Sequence, residues 1–142
     1  MSDFDISKLL KALDNEENEQ IINLDYVKIN KIKNDVLKRL HIKANDLREL
    51  KTKLKLYRFV DELPDLKYGS YIRWISLKNP ENIYLTTGGI VCEIKVVESG
   101  IAIICKNNYN RMFQIKLSEN LIFQKLTKQE QIILSAMDLI NS

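Results

Sequence analysis

The chain has 142 residues and a formal net charge of +3, and 45% of its residues are hydrophobic, which is typical of a globular domain. One histidine, two cysteines and four glycines are too few for histidine clusters, cysteine-rich zinc sites or glycine-rich phosphate loops. No apolar run approaches the ~18–20 residues of a membrane span. The acidic start of the chain predicts that it carries no secretory signal peptide.

The first residues predict a short helix over 1–14, which Asp3 or Asp5 caps. Its apolar residues recur at helical spacing: Ile6, Leu9, Leu10 and Leu13. An acidic, polar linker over residues 14–19 follows.

A second helix is predicted to begin after Asn23 or Asp25, and Asn45 or Asp46 is predicted to cap a third. Apolar residues at steps of three and four mark both: Ile29, Ile32, Val36 and Leu40, then Leu47, Leu50, Leu54 and Tyr57. A helical hairpin and one continuous helix over 26–61 both fit this pattern. Either ends near Pro64, because proline disfavours a helical residue before it. The apolar seams are expected to pack within the chain or to join two copies of it.

From residue 68 the pattern alternates, which is typical of β-strands. The predicted strands are 70–77, a short one at 83–87, 90–97, 101–105, 112–117 and 121–124. A hairpin with Ser99 and Gly100 as its loop places Val96 opposite Ile103. In that register the two cysteines, Cys92 and Cys105, share a face but lie too far apart to bridge. We therefore expect two free, buried thiols.

Together these elements predict an α+β protein, in which N-terminal helices precede a small antiparallel SH3-like β-barrel and a C-terminal helix. An OB fold is the competing barrel. Thr127 and Glu130 predict a capping box at the start of the C-terminal helix. The domain prediction is a helical region over 1–64, with basic helices, and the barrel with its terminal helix over 65–142.

Residues for familiar catalytic sites are missing from the sequence. His41 has no histidine or cysteine near it, and Gly88-Gly89 lacks the following Lys-Ser/Thr pair of a phosphate-binding loop. The paired carboxylates at 16–17 and 61–62 have no visible partner for acid–base work. We therefore predict that the protein is not an enzyme and uses no metal ion, cofactor or small-molecule substrate.

Charge divides the chain into three blocks. Residues 1–27 carry seven acidic and two basic residues, residues 28–58 carry three and eleven, and residues 59–142 carry nine of each. Rows of cations can follow a phosphate backbone, so the middle block predicts a nucleic-acid interface. Its candidate residues are Lys28, Lys31, Lys38, Arg39, Arg48, Lys51, Lys55 and Arg58. The alternatives are a solvated basic face, internal pairing with the acidic block, or another anionic partner.

A second candidate contact consists of aromatic residues in the barrel that can stack bases or hold an extended peptide: Tyr71, Trp74, Tyr84 and Tyr109. Core packing is the alternative for such side chains, and Trp74 and Phe113 lie where core residues are expected.

Four segments carry a family resemblance: YRFVDELP at 57–64, GSYIRWI at 69–75, GGIV at 88–91 and LIFQKL at 121–126. Together they resemble an uncharacterised protein family of the nucleocytoplasmic large DNA viruses, of Marseillevirus-like type, over roughly residues 57–130. The resemblance implies an intracellular viral protein, in the host cytoplasm or nucleus or packaged in the virion. It carries over no site residue.

The sequence therefore predicts a non-catalytic protein that binds DNA or RNA largely independently of sequence, with no membrane partner. The alternative is a protein–protein interaction or virion-assembly module. In that case the helices of 26–61 form a homo-oligomer and the lysines only keep the surface soluble.

Overall fold

The computed structural model describes residues 5–142, which form an α+β fold with helices at both ends of an antiparallel sheet. The helices are α1 (Ile6–Asp14), α2 (Tyr26–Lys38), α3 (Ala44–Lys53) and α4 (Lys128–Asn141). The strands are β1 (Tyr57–Val60), β2 (Tyr71–Ser76), β3 (Gly89–Val97), β4 (Gly100–Lys106), β5 (Met112–Lys116) and β6 (Asn120–Lys125). Short 3-10 helices cover Glu16–Ile21, Leu63–Asp65 and Leu117–Glu119.

Side-chain caps fix three of the helix starts. The Asp5 carboxylate accepts from the backbone N–H of Ser7 at 2.9 Å and so caps α1, while the alternative cap Asp3 lies outside the described residues. The capping box predicted at the start of α4 is confirmed, because Thr127 and Glu130 exchange hydrogen bonds of 2.9 and 3.0 Å. Asp25 caps α2, as one of the two alternatives predicted.

The third helix differs from its prediction at both ends. It begins after Lys43 without a side-chain cap, so the prediction that Asn45 or Asp46 caps it was wrong. It ends at Lys53, well before Pro64. His41, with φ of 52°, turns the chain between α2 and α3, so the structure has a helical hairpin and not a continuous helix over 26–61.

The strands form a six-stranded sheet, in the order β1-β6-β2-β3-β4-β5, within the described part of the chain. This confirms the α+β class with helices before and after the sheet. The sheet is not closed, because β1 and β5 lie at its two edges and do not pair, so the predicted closed SH3-like barrel is not confirmed. Strand β1 was predicted as helix; it pairs with β6 in the register Arg58↔Gln124 and Val60↔Ile122.

The β3–β4 hairpin shifts the predicted register by two residues. Val96 pairs with Ile101 and not with Ile103, and the loop is Glu98-Ser99 because Val97 pairs with Gly100. The predicted strand over 83–87 is reduced to one isolated bridge to β2.

A β-bulge between Val91 and Glu93 changes the positions of the two cysteines. Both thiols are free, as predicted, but Cys92 is exposed and only Cys105 is buried. The prediction that they share a buried face was therefore wrong, because the bulge takes Cys92 out of the ladder. Burial raises the pKa of the Cys105 thiol to about 12.

Three apolar clusters hold the elements together. One lies on one face of the sheet and includes Trp74 and Ile103. A second joins α1 and α4 through side chains such as Ala12 and Ile133. The third packs α2 and α3 against the opposite face of the sheet, at β6, β2 and β1, around Phe123. The third cluster orients the basic helices, because it fixes which side of the α2–α3 hairpin remains exposed.

Candidate nucleic-acid interface

Asp25 anchors the first of the two basic helices. Its carboxylate accepts from the backbone N–H of Lys28 and from the side-chain amide of Asn141 in α4, both at 2.8 Å. These hydrogen bonds hold the pKa of Asp25 below its ordinary value. The start of α2 is thereby fixed to the C-terminal helix.

The apolar seam of the hairpin is used within the chain. Val36 and Leu37 of α2 pack with Leu50 and Leu54, around Phe123 of the sheet. Of the seam residues predicted for self-association in α2, only Ile32 stays exposed. The structure therefore leaves little of this seam for a second copy of the chain.

Seven of the eight candidate basic residues are exposed, which places them where a ligand can reach them. They are Lys28, Lys31, Lys38, Arg39, Arg48, Lys51 and Lys55. Lys31 and Lys38 are separated by two helical turns, so they lie on the same side of α2.

Arg58 differs from the other seven candidate residues, because it lies in a strand and not on one of the predicted basic helices. It lies in β1, is 5% exposed, and pairs its guanidinium with the Asp65 carboxylate at 3.1 Å. Its Nε is buried and has no hydrogen-bond partner among the described residues. Arg58 therefore belongs to the interior of the fold and adds nothing to an exposed cationic surface.

The exposed cations lie on two sides of α2. Lys51 and Lys55 line a cleft between α2 and α3, opposite Asn30 and Asn34. Arg39 instead lines a separate groove beside β1, together with three carboxylates: Asp35, Asp61 and Asp65. Those carboxylates offset the positive charge near Arg39, whereas Lys51 and Lys55 line a cleft without a carboxylate among the described residues.

The ion pairs of the basic helices are local. Lys31 pairs with Asp35 at 3.8 Å and Lys53 with Glu49 at 3.2 Å, each one turn along the same helix. Within residues 5–142, no ion pair joins the acidic block of 1–27 to the basic block of 28–58. Internal pairing between the two blocks therefore has no support in the described contacts.

Lys33 is the residue of this region that the sequence prediction missed. It is 5% exposed, and its ammonium group donates to the backbone carbonyls of Leu54 at 2.7 Å and Lys55 at 3.4 Å. Burial lowers the pKa of Lys33 from 10.5 to about 8. One signal was available, since Lys33 lies four residues after Ile29 and therefore on the apolar side of α2.

The four predicted aromatic contacts do not form one platform. Trp74 is buried in the same cluster as Ile103 and packs edge-on against Phe113, with ring centroids 6.5 Å apart. The Tyr71 hydroxyl donates to the backbone carbonyl of Thr87. Tyr84 and Tyr109 are exposed on different loops and remain available to a ligand. The core alternative is thus the better description of Trp74.

A cavity of about 830 Å³ lies between the 3-10 helix Glu16–Ile21 and the junction of β6 with α4. One side carries glutamates of the 3-10 helix and the other carries lysines, such as Lys67. The Lys67 ammonium pairs with the buried carboxylate of Glu130 at 3.3 Å. These contacts join elements of the fold, and the prediction that the protein is not an enzyme stays a prediction.

Metal-binding clusters and membrane-spanning helices are both absent from the described part of the chain. No group of three or more histidine, cysteine or acidic residues able to hold a metal ion occurs in residues 5–142. In the same range, no helix combines the length and apolarity that crossing a membrane requires.

The chain matches no family model, no curated protein and no solved structure. The resemblance to a family of large DNA viruses accordingly stays a prediction.

Proposed function

We propose that this protein binds single- or double-stranded nucleic acid without catalysis, by placing the phosphate backbone against the α2–α3 hairpin. The observation that carries the proposal is the uncompensated charge of the hairpin. Lys38, Arg48, Lys51 and Lys55 are exposed and make no ion pair with any described residue. Held on two packed helices, these cations form a surface that attracts a polyanion.

The types of residue favour contact with phosphates over reading of bases. Lysine predominates, and its ammonium group is a point charge without the planar, bidentate geometry of arginine. The candidate residues include only two exposed arginines, Arg39 and Arg48, and Arg48 donates to the side chain of Asn45 at 3.1 Å. Binding that is strongly salt-dependent and weakly sequence-dependent follows.

The finer fold assignment is also part of this proposal. We infer that the sheet is an open relative of the SH3-like barrel, and the contact between Trp74 and Phe113 supports this inference. These residues belong to β2 and β5, which two other strands separate, so the sheet curls strongly to bring them together. Tyr84 and Tyr109 then offer secondary stacking contacts outside the basic hairpin.

Fluorescence anisotropy of labelled DNA and RNA across a salt series tests the proposal. The double variant Lys51→Glu with Lys55→Glu is expected to bind at least tenfold more weakly. The slope of log affinity against log salt concentration should fall by about 1.4 for single strands, at ~0.7 for each phosphate that is no longer neutralised.

The matched control is Lys8→Glu with Lys11→Glu, which makes the same charge change on the exposed side of α1. It should bind within about twofold of wild type if the hairpin, and not the net charge, attracts the ligand. Failure of the wild-type protein to bind either nucleic acid at low salt would contradict the proposal. Equal losses of affinity in the two double variants would contradict the placement of the interface.

A further inference from the structure

The cleft between α2 and α3 encloses about 230 Å³, and its polar lining contains no carboxylate among the described residues. Its polar side chains are those of Asn30, Lys33, Asn34, Lys51 and Lys55, with leucine side chains completing the wall. Because a water molecule occupies ~30 Å³ in the liquid, this space accepts a tetrahedral oxyanion together with part of its hydration shell.

Lys33 distinguishes this cleft from an ordinary patch of surface lysines. The residue is only 5% exposed, and within residues 5–142 no carboxylate lies within 4.0 Å of its ammonium group. Buried charges in proteins are normally paired, because the loss of hydration is costly. Two backbone carbonyls accept from Lys33, but an ammonium group has three N–H donors.

We propose that the α2–α3 cleft binds one phosphate group, with Lys33 at its base, Lys51 and Lys55 at its rim, and the amides of Asn30 and Asn34 completing the hydrogen bonds. The inference rests on the proposed function and deepens it, since a phosphodiester of the bound strand is one source of the group. Free inorganic phosphate is the other source. The shared chemistry is a compact oxyanion that neutralises a buried cation.

A titration of the ¹⁵N-labelled protein with inorganic phosphate at constant ionic strength, followed by NMR, tests the site. We expect saturable shifts of the backbone amides of residues 30–34 and 51–55, with sodium chloride at the same ionic strength causing none. Lys33→Met keeps the apolar stem and removes the charge, so phosphate affinity should fall at least tenfold. Circular dichroism checks that this variant folds.

A second pair of variants keeps the test decisive if Lys33→Met does not fold. Lys51 and Lys53 are both exposed lysines of α3, but only Lys51 lines the cleft, while Lys53 pairs with Glu49. Lys51→Gln should weaken phosphate binding about threefold and Lys53→Gln should leave it unchanged. Equal effects of these two substitutions, or unchanged affinity in a folded Lys33→Met variant, would overturn the site.

Competition with a labelled single-stranded oligonucleotide identifies the source of the phosphate. If inorganic phosphate displaces the strand from wild type and Lys33→Met binds the strand more weakly, a phosphodiester occupies the cleft. If phosphate binds but the strand is indifferent to Lys33→Met, the free anion is the ligand. A third outcome is that the strand binds, phosphate causes no saturable shift, and Lys33→Met does not change the affinity for the strand. In that case the cleft inference fails and the proposed function stands. If neither ligand binds, both fail.

Discussion

Replacing Lys33 by methionine should change how the stability of the protein depends on pH. In the folded state the pKa of Lys33 is about 8 because its ammonium group is buried, whereas in the unfolded chain it is near 10.5. Between these values the unfolded chain binds more protons than the folded one. The free energy of unfolding of wild type therefore rises with pH through this window, relative to the same chain without Lys33.

The size of this effect follows from the two pKa values. The folded pKa is about 8 and the unfolded pKa is 10.5. With these values, the contribution of Lys33 to the free energy of unfolding rises by about 2 kcal/mol between pH 7 and pH 9.5. The comparison uses the difference between wild type and Lys33→Met, because tyrosines, cysteines and other lysines titrate in both proteins and cancel. Burial of the Cys105 thiol, for instance, makes the free energy of unfolding fall as the pH rises, and it does so in both proteins.

Urea unfolding followed by circular dichroism at pH 7 and 9.5, in a buffer without phosphate or sulfate, measures the change. The difference in free energy of unfolding between wild type and Lys33→Met at one pH is not diagnostic, since the substitution removes both a desolvation cost and two hydrogen bonds to carbonyls. The change with pH isolates the ionisation. A difference that stays constant within about 0.5 kcal/mol between the two pH values would refute the reasoning from burial.

Three further predictions concern the framework around the hairpin. Gly88→Ala should lower the free energy of unfolding by more than about 2 kcal/mol, because φ is +88° and the new Cβ would clash with the backbone carbonyl of Ile72 in β2. Its control is Gly69→Ala, at φ of +80° with open space around it, which should cost only about 1 kcal/mol in the same urea assay. Thr127→Ala should lower thermal stability by about 1 kcal/mol through loss of the capping box, and Thr127→Ser should restore it. Asp65→Ala should lower the free energy of unfolding by about 3 kcal/mol, because it leaves the buried guanidinium of Arg58 unpaired. Arg58→Met should leave oligonucleotide affinity within twofold of wild type, and a tenfold loss would return Arg58 to the interface.

Local signals in the sequence were enough to predict most helix starts. Asp5, Asp25 and Thr127 cap helices because each bonds an amide only two or three residues away. The strands β2 and β4 were also predicted close to their observed bounds, Tyr71–Ser76 and Gly100–Lys106. Each of these predictions depends on neighbours that the sequence itself places in contact.

Distant partners decided the features that were predicted wrongly. The four residues of β1 continue an apparently helical run, and they become a strand because β6 pairs with them from more than 60 residues away. In the β3–β4 hairpin, a shift of two residues leaves each side chain between Ile94 and Val97 on the same face, so hydrophobic alternation cannot tell Val96↔Ile101 from Val96↔Ile103. Arg58 was assigned to the interface for the first of these reasons.

The candidate site was predictable in its charge but not in its shape. The distribution of charge along the sequence located the basic block, and its exposed cations are on or beside the two helices that the periodicity predicted. Charge alone does not reveal that α2 divides these cations between a cleft free of carboxylates and a groove that contains three. That division depends on how the hairpin is seated on the sheet, which Phe123 and its neighbours determine.

Lys33 connects the stability of this fold with its proposed ligand. A lysine whose pKa falls to about 8 on folding makes the protein less stable at neutral pH than the same fold with a fully hydrated ammonium group. An oxyanion in the cleft would favour the charged form and raise that pKa, so binding and proton retention by Lys33 must be linked. Sulfate keeps its charge between pH 7 and 9.5, and its presence at saturation should therefore reduce the pH-dependent gain of wild type over Lys33→Met. If the gain is the same with and without sulfate, the anion does not reach Lys33, and the lysine serves only to hold the carbonyls of Leu54 and Lys55, just after α3.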